Sequence, residues 1–291
     1  SGGVMLPHYS PFKVAETFSL LAGLFPGRID LGLGRAAGTD PMTTFALQRD
    51  RRHAAADDFA QQLAELLAYL DDRMPDDHPF ARLAKTLPGR PERPVPWLLG
   101  SSQQSAIWAA ELALPYAFAD FINSGGAEIA SLYRERFAEH EHPAGAAPRT
   151  AVAVWTICAD SDEEAQRLAA SGRMAFTMLR RGELIAVPSP EKALEFLASE
   201  ERAADARSPG APRGVEAPRG AETPGGAEAP GSAGPPRAQR RTVVGTPDAV
   251  QVQLEDVAVK YRADEVIAVN IVYDHAARRR SYELLAGAFE L

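Results

Sequence analysis

Residues Arg28 to Gly38, Arg-Ile-Asp-Leu-Gly-Leu-Gly-Arg-Ala-Ala-Gly, restrict what the chain can fold into more than any other stretch. Ile29, Leu31 and Leu33 alternate with Asp30, Gly32 and Gly34, the period of a strand whose apolar side packs under a layer of helices. The strand runs into a glycine-rich loop and places Arg35 where it ends. In α/β proteins ligands are held at that end. An arginine there suits a phosphate, because its planar fork gives two charge-assisted hydrogen bonds at once. The rival reading is a dinucleotide fingerprint, but the spacing Gly32, Gly34, Gly38 misses the Gly-x-Gly-x-x-Gly pattern.

The flanking segments predict parallel strands. Val4 to Leu6 reads as a strand end and Pro7 to Pro11 as a turn. In Lys13 to Phe25, Val14, Phe18, Leu21 and Phe25 form one helical stripe before Pro26-Gly27 stops it. Strand, helix and strand within this length make one βαβ unit. A loop from Ala36 to Thr44 then leads to a helix from about His53 to Leu70, with Phe59, Leu63, Leu66, Leu67 and Leu70 inward and Asp57, Asp58 and Gln62 outward. Asp71 to Pro96 is a long proline- and charge-rich excursion with one short helix near Phe80 to Thr86, of the kind that often covers a site.

Further strands are expected at Trp97 to Gly100, Pro115 to Ala119, Thr150 to Ala159 and Glu265 to Ile271. The Thr150 to Ala159 run has the unbroken apolar character of a strand buried on both faces. Helices follow these strands: one opens at Ser101-Ser102 with Ile107, Trp108 and Leu112 on its apolar face, and another spans about Ala127 to His140. Ser161 and Glu164 form a capping-box pattern for a third, Thr246-Pro247 opens a fourth, and His275 to Phe289 closes the chain with Tyr282, Leu285 and Phe289 inward. Gly100, Ser101, Ser102 and Ser105 are natural helix-capping residues; they also present a helix N-terminus and hydroxyls to an anion, and the two roles are compatible. Repeated strand-then-helix alternation favours a parallel (β/α) barrel over an open sheet.

At 291 residues the chain suffices for one large α/β domain or two smaller ones. A net charge of −8 with no compensating basic stripe excludes a nucleic-acid binder; Arg278 to Arg280 read as a solvated helix face. Cys158 is the only cysteine and sits among Trp155 and Ile157, so it reads as a buried thiol, with no disulfide framework and no cysteine metal site. No apolar run reaches membrane-spanning length and no signal peptide is recognisable, so the expectation is a cytoplasmic protein with no membrane partner. The segment 200–241 is mostly Ala, Gly, Pro, Arg and Glu with Val215 as its one large aliphatic residue. It is expected to be a disordered insertion between parts 1–199 and 242–291 of a single fold. The opening Ser1-Gly2-Gly3-Val4-Met5-Leu6-Pro7 reads as the second half of a strand with no initiator methionine, and predicts an N-terminally incomplete chain.

Four stretches together resemble the bacterial-luciferase-like, flavin-dependent monooxygenases: Ser1 to Pro7, Phe25 to Pro41, Trp-Leu-Leu-Gly-Ser-Ser at 97 to 102 and Val-Gly-Thr-Pro at 244 to 247. The resemblance implies an α/β fold, the (β/α)8 TIM barrel of the luciferase-like type, lacking its N-terminal strands in this chain, with the flavin across the C-terminal strand ends. By it Arg35 matches an arginine that holds the flavin phosphate, and Ser101, Ser102 and Ser105 match helix-start positions that contact the same group. Gly2 and Gly3 match a pair joined by a cis peptide beneath the flavin ring. The implied activity is oxidation of a small-molecule substrate by molecular oxygen with reduced FMN, supplied by a separate flavin reductase, in a homodimer or heterodimer. A hydride-transfer reductase using flavin or deazaflavin, and a non-catalytic flavin-binding relic, are the alternatives.

The family's catalytic histidine belongs to the part before this chain begins, so no catalytic acid or base is assigned. His8 lies after a strand end and can face the pocket. His53 and His78 read as surface or helix-end residues, and His275 as structural.

Overall fold

The structure, a computed structural model, describes residues 3–36, 41–47, 57–207 and 241–291. Expectations that rest on Gly2, Gly38, His53 or residues 208–240 lie outside the described residues. The chain divides into two compact units, Ser1–Val154 with Leu254–Ala268, and Trp155–Gln253 with Val269–Leu291.

In the first unit the expected βαβ entry is present: β1 (Val4–Met5), a single 3-10 turn at Leu6–His8, α1 (Pro11–Leu24) and β2 (Asp30–Gly34). Pro11 occupies the first turn of α1 with Ser10 in extended conformation before it, where a missing N–H costs nothing. Past the helix end Gly27 has φ +69°, the left-handed conformation glycine adopts most readily. The helix faces differ from the expected stripe. Val14, Ala15, Ser19 and Ala22 form the buried row and Phe25 is exposed. Small residues are required there because a later loop lies directly on this helix, as shown below.

α2 (Pro41–Leu47) stands where a loop was expected, Ala36 to Thr44; its proline at the first position and the three residues after Thr44 carry a signal too short to read by periodicity. In α3 (Phe59–Leu70) the buried face is wider than the expected stripe: Gln62 is inside, and its amide donates to the Asp58 carboxylate one turn back. α4 (Ala81–Ala84) sits inside the expected short helical stretch, and β3 runs from Val95 to Gly100. The excursion that precedes β3 packs back on α1: the Gly89 N–H donates to Ser19 Oγ at 3.1 Å. A Cβ on Gly89 would lie 1.6 Å from the Ser19 carbonyl oxygen.

α5 (Gln103–Glu111), β4 (Tyr116–Ala119), α6 (Ala127–Glu139) and β5 (Thr150–Cys158) continue the alternation. The pairs β1–β2, β2–β3, β3–β4 and β4–β5 are all parallel, with Met5 opposite Gly34, Leu33 opposite Leu98 and Gly100 opposite Phe118. Leu31, Leu33, Leu98, Phe118 and Val152 are fully or almost fully buried, as strands covered by helices demand. An aromatic cluster fills the space under α6: Tyr116 and Tyr133 have ring centroids 5.6 Å apart and Phe118 and Tyr261 5.3 Å. Tyr133 closes the start of two strands at once, donating to the Leu114 carbonyl at 2.9 Å and accepting from the Arg149 N–H at 3.2 Å. Gly126 is glycine because a Cβ there would lie 1.8 Å from the Phe118 ring.

In the second unit the latter part of β5 pairs in parallel with β6 (Thr242–Gly245), Trp155 opposite Thr242. α7 (Asp162–Arg180) is capped by Ser161, whose hydroxyl accepts from the Glu164 N–H. Only half of the expected capping box forms, because the Glu164 carboxylate takes both ends of the Arg167 fork at 2.7 and 2.9 Å. α8 (Pro190–Arg207) reaches beyond residue 200. Its first turns bury Ala193 against Met174, with Phe196 and Leu197 beside it, and the alanine- and charge-rich stretch up to Arg207 has high helix propensity despite its low apolar content.

α9 (Pro247–Tyr261) and β7 (Glu265–Val269), which pairs with β5, precede α10 (His275–Ala288). Asp274 rather than His275 caps α10, accepting the Ala277 N–H at 2.7 Å. Its inner face is Ser281 and Leu285, with Tyr282 exposed, because Ser281 Oγ is needed inside to accept both the Cys158 N–H and an Asn270 N–H at 2.9 Å. Cys158 is buried as expected, and burial pushes its thiol up to about 11. Among the described residues no helix is long and apolar enough to cross a membrane.

Candidate functional site

Parallel pairing with Leu33 opposite Leu98 brings the ends of β2 and β3 level, so Arg35 and the Gly100-Ser101 turn emerge on the same edge of the sheet. α5 begins immediately after that turn. Ser102 is its N-cap, with Oγ accepting the Ser105 N–H at 3.4 Å. The Ser105 hydroxyl donates to the Ser102 carbonyl at 2.8 Å and lies 3.2 Å from Ser102 Oγ. Gly100 makes room for this turn: a Cβ would lie 2.2 Å from Ser105 Oγ. From the next strand's end, Asn123 holds the Ser101 carbonyl through an Nδ2–H donated at 3.2 Å.

Arg35 meets α5 through Trp108, its guanidinium carbon 5.9 Å from the indole centroid. Trp108 is three residues beyond Ser105, hence on the same side of the helix, and is itself stacked on buried Phe59 at 5.6 Å. A cation thus stands along the face of a helix whose first turn presents hydroxyls and unpaired N–H groups. The Arg35 guanidinium also lies 3.9 Å from the Asp57 carboxylate, with both side chains more than half exposed. Such a surface pair is worth about 0–1 kcal/mol, too little to hold the arginine against a doubly charged anion. The donor set, a guanidinium, two serine hydroxyls at a glycine turn and a helix N-terminus, fits a phosphate monoester.

Sequence spacing pointed to Arg35, Gly100, Ser101, Ser102 and Ser105, and the resemblance added Gly3 and Gly2, the latter outside the described residues. A Cβ on Gly3 would lie 2.5 Å from Leu99 Cδ1, so a side chain there would need the Leu99 methyl to move aside. His8 ends the 3-10 turn after β1 and is half-buried. His78 is a turn residue whose Nδ1 accepts the Phe80 N–H at 3.3 Å. Spacing missed Trp108 as the support of Arg35, Asn123, Tyr116 and Asp120. Asp120 follows β4 and reads as loop, yet it is fully buried with the Tyr261 hydroxyl donating to it at 2.6 Å. The two ends of the excursion Asp71 to Pro96 meet at the other end of β3. They border a cleft of about 420 Å³ lined by Ser19, Leu70, Leu87, Arg90 and Arg93, ahead of the point where β3 begins, while the site lies where β3 ends. Among the described residues no cluster of three or more His, Cys, Asp or Glu side chains is arranged to hold a metal ion.

Beneath the serines lies the Tyr116 hydroxyl, 3.0 Å from Ser105 Oγ and 3.4 Å from the Ser102 carbonyl. Burial raises Tyr116 to about 12, against a smaller lowering by the Ser105 contact, and burial raises Tyr133 to about 12 as well. Both rings therefore stay protonated in the folded chain after an unfolded chain, with tyrosines at 10.0, begins to ionise. Their stabilising contribution is complete below pH 10 and is lost as the pH rises from 10 to about 12, by at most about 3 kcal/mol per ring. Denaturant midpoints measured across that interval should fall steeply, and less steeply in Tyr133→Phe. A flat profile contradicts the assignment.

An α/β chain of parallel strands with a phosphate-suited cradle at the strand ends describes a class of cofactor-binding enzyme. Comparison with known proteins narrows it. Residues 1–265 match the profile of the luciferase-like monooxygenase family, and this chain belongs to that family. It is 36% identical over 287 residues to the luciferase-like monooxygenase of Escherichia coli strain K12, covering 98% of this chain and 74% of that protein. It is 40% identical over 197 residues to the N-acetyl-S-alkylcysteine monooxygenase of Bacillus subtilis strain 168, covering 68% of this chain and 58% of that protein.

Among solved structures it is similar to apo-MsnO8, with 37% identity and a TM-score of 0.74 over all of this chain and 76% of that one. At 19% identity and a TM-score of 0.59 it shares the fold of a type II Baeyer-Villiger monooxygenase, the oxygenating constituent of 3,6-diketocamphane monooxygenase from Pseudomonas putida, in complex with FMN. That likeness covers 98% of this chain and 76% of that one. The TIM-barrel-type α/β fold expected from sequence is therefore the fold of this chain, and its relatives are oxidoreductases.

Proposed function

We propose that the protein is a flavin-dependent monooxygenase that takes reduced FMN from a separate reductase and uses molecular oxygen to oxidise a small organic substrate. The observation that carries this reading is Arg35 held by Trp108 along the face of α5 whose first turn is Ser102 to Ser105. Bound reduced flavin supplies the two electrons and the reaction with oxygen; the rest is done by side chains and backbone of this chain. Arg35, Ser101, Ser102 and the α5 N-terminus hold the phosphate, and Ser105 fixes the turn that aims them. Gly2 and Gly3 lie under the flavin ring in this reading, where a Cβ on Gly3 would displace the end of the Leu99 side chain. Orientation and exclusion of water from the ring are the protein's contribution to the chemistry. The catalytic acid or base remains unassigned, and His8 stands at the β1 end of the same edge.

The test is anaerobic titration with reduced FMN followed by rapid mixing with oxygenated buffer. Expected are saturable binding at micromolar concentrations and a rate of flavin oxidation that differs from that of free reduced FMN. A protein that binds a deazaflavin and ignores FMN is a hydride-transfer enzyme of the same fold. One that binds FMN but leaves its reaction with oxygen unaltered is a non-catalytic binder.

A further inference from the structure

The hydroxyl hydrogens at the α5 turn can be counted. Ser105 has one, and its bond to the Ser102 carbonyl at 2.8 Å uses it. The Tyr116 hydroxyl lies 3.0 Å from Ser105 Oγ and 3.4 Å from the Ser102 carbonyl, so its hydrogen is in reach of either oxygen. Ser105 Oγ, with two acceptor sites, also lies 3.2 Å from Ser102 Oγ. The Ser102 hydroxyl, on an exposed residue, can turn its own hydrogen inward to Ser105 or outward to an anion.

We propose that Tyr116 is a positioning residue of the phosphate cradle: its hydroxyl, in reach of both Ser105 Oγ and the Ser102 carbonyl, braces the turn from which the Ser101 and Ser102 hydroxyls face the phosphate. The inference rests on the reading of this edge as a phosphate site. The ring is locked for the task, fully buried at the start of β4 and packed against Tyr133 at 5.6 Å and Phe118 at 6.2 Å. Gly100 keeps the turn clear, since a Cβ there would lie 2.2 Å from Ser105 Oγ and 2.6 Å from Ser105 Cβ. Burial keeps the phenol a donor throughout the neutral range.

The experiment compares binding of FMN and of riboflavin, which lacks the phosphate, to the wild-type chain and to Tyr116→Phe. The expected result is an FMN affinity lowered about three- to ten-fold, the range for one neutral hydrogen bond, with riboflavin affinity unchanged. Equal weakening of both flavins, or no change in either, overturns the proposal and assigns Tyr116 to the core alone. If the wild-type chain binds the two flavins equally well, the phosphate-site reading itself fails. Should Tyr116→Phe not fold, difluorotyrosine at 116 keeps the hydroxyl but ionises at lower pH. The FMN-over-riboflavin preference must then fade at lower pH than in the wild type, and an unshifted profile overturns the proposal.

Discussion

Arg35→Ala should weaken FMN binding by about ten- to a hundred-fold while leaving riboflavin binding within experimental error. A guanidinium donating to a charged acceptor contributes about 1.5–3 kcal/mol, and each 1.4 kcal/mol is a decade in affinity. The loss is that large because the arginine's Asp57 partner is an exposed carboxylate at 3.9 Å, a weak competitor for it. Arg35→Lys should recover only part of the affinity, since an ammonium lacks the planar fork and stacks less well on Trp108, which the guanidinium approaches to 5.9 Å. Fluorescence titration of both flavins against the three proteins decides it. Undiminished FMN binding by Arg35→Ala would remove the phosphate from this edge of the sheet.

Gly89→Ala should destabilise the fold by about 3 kcal/mol or more, lowering the thermal midpoint by about 6–12 °C, without altering flavin selectivity in the protein that remains folded. The added methyl would overlap main chain, 1.6 Å from the Ser19 carbonyl oxygen and 2.4 Å from its carbon, so no rotamer change relieves it. Relief requires the loop to lift off α1, which breaks the Gly89 to Ser19 hydrogen bond and uncovers the small-residue face of Ser19, Ala22 and Gly23. Gly27→Ala provides the contrast. That position is strained at φ +69° but has open space around it, so it should cost only about 1 kcal/mol. Calorimetry separates the two, and near-equal midpoints would mean that the excursion is not seated on α1.

The alternation of Ile29, Leu31 and Leu33, the prolines in the first turns of α1 and α9, and Ser102 and Ser161 as helix caps are all interactions between residues within four positions of each other. For that reason they were legible in the sequence, and with them the order of strands and helices and the emergence of Arg35 and the Gly100-Ser101 turn at strand ends. Membership of the luciferase-like monooxygenase family was likewise legible in the sequence, over residues 1–265. Tertiary structure decided what joins residues far apart in the chain. It put Trp108 under Arg35, Gly89 on Ser19 and the Tyr261 hydroxyl on buried Asp120, and it turned Gln62 inward and Tyr282 outward. It also seated the Asp71 to Pro96 excursion on α1, and set the Tyr116 hydroxyl beneath the serines. Periodicity reports only that a face is apolar. Which neighbour covers that face, and which polar groups are then buried and must be satisfied, is fixed when the elements pack together.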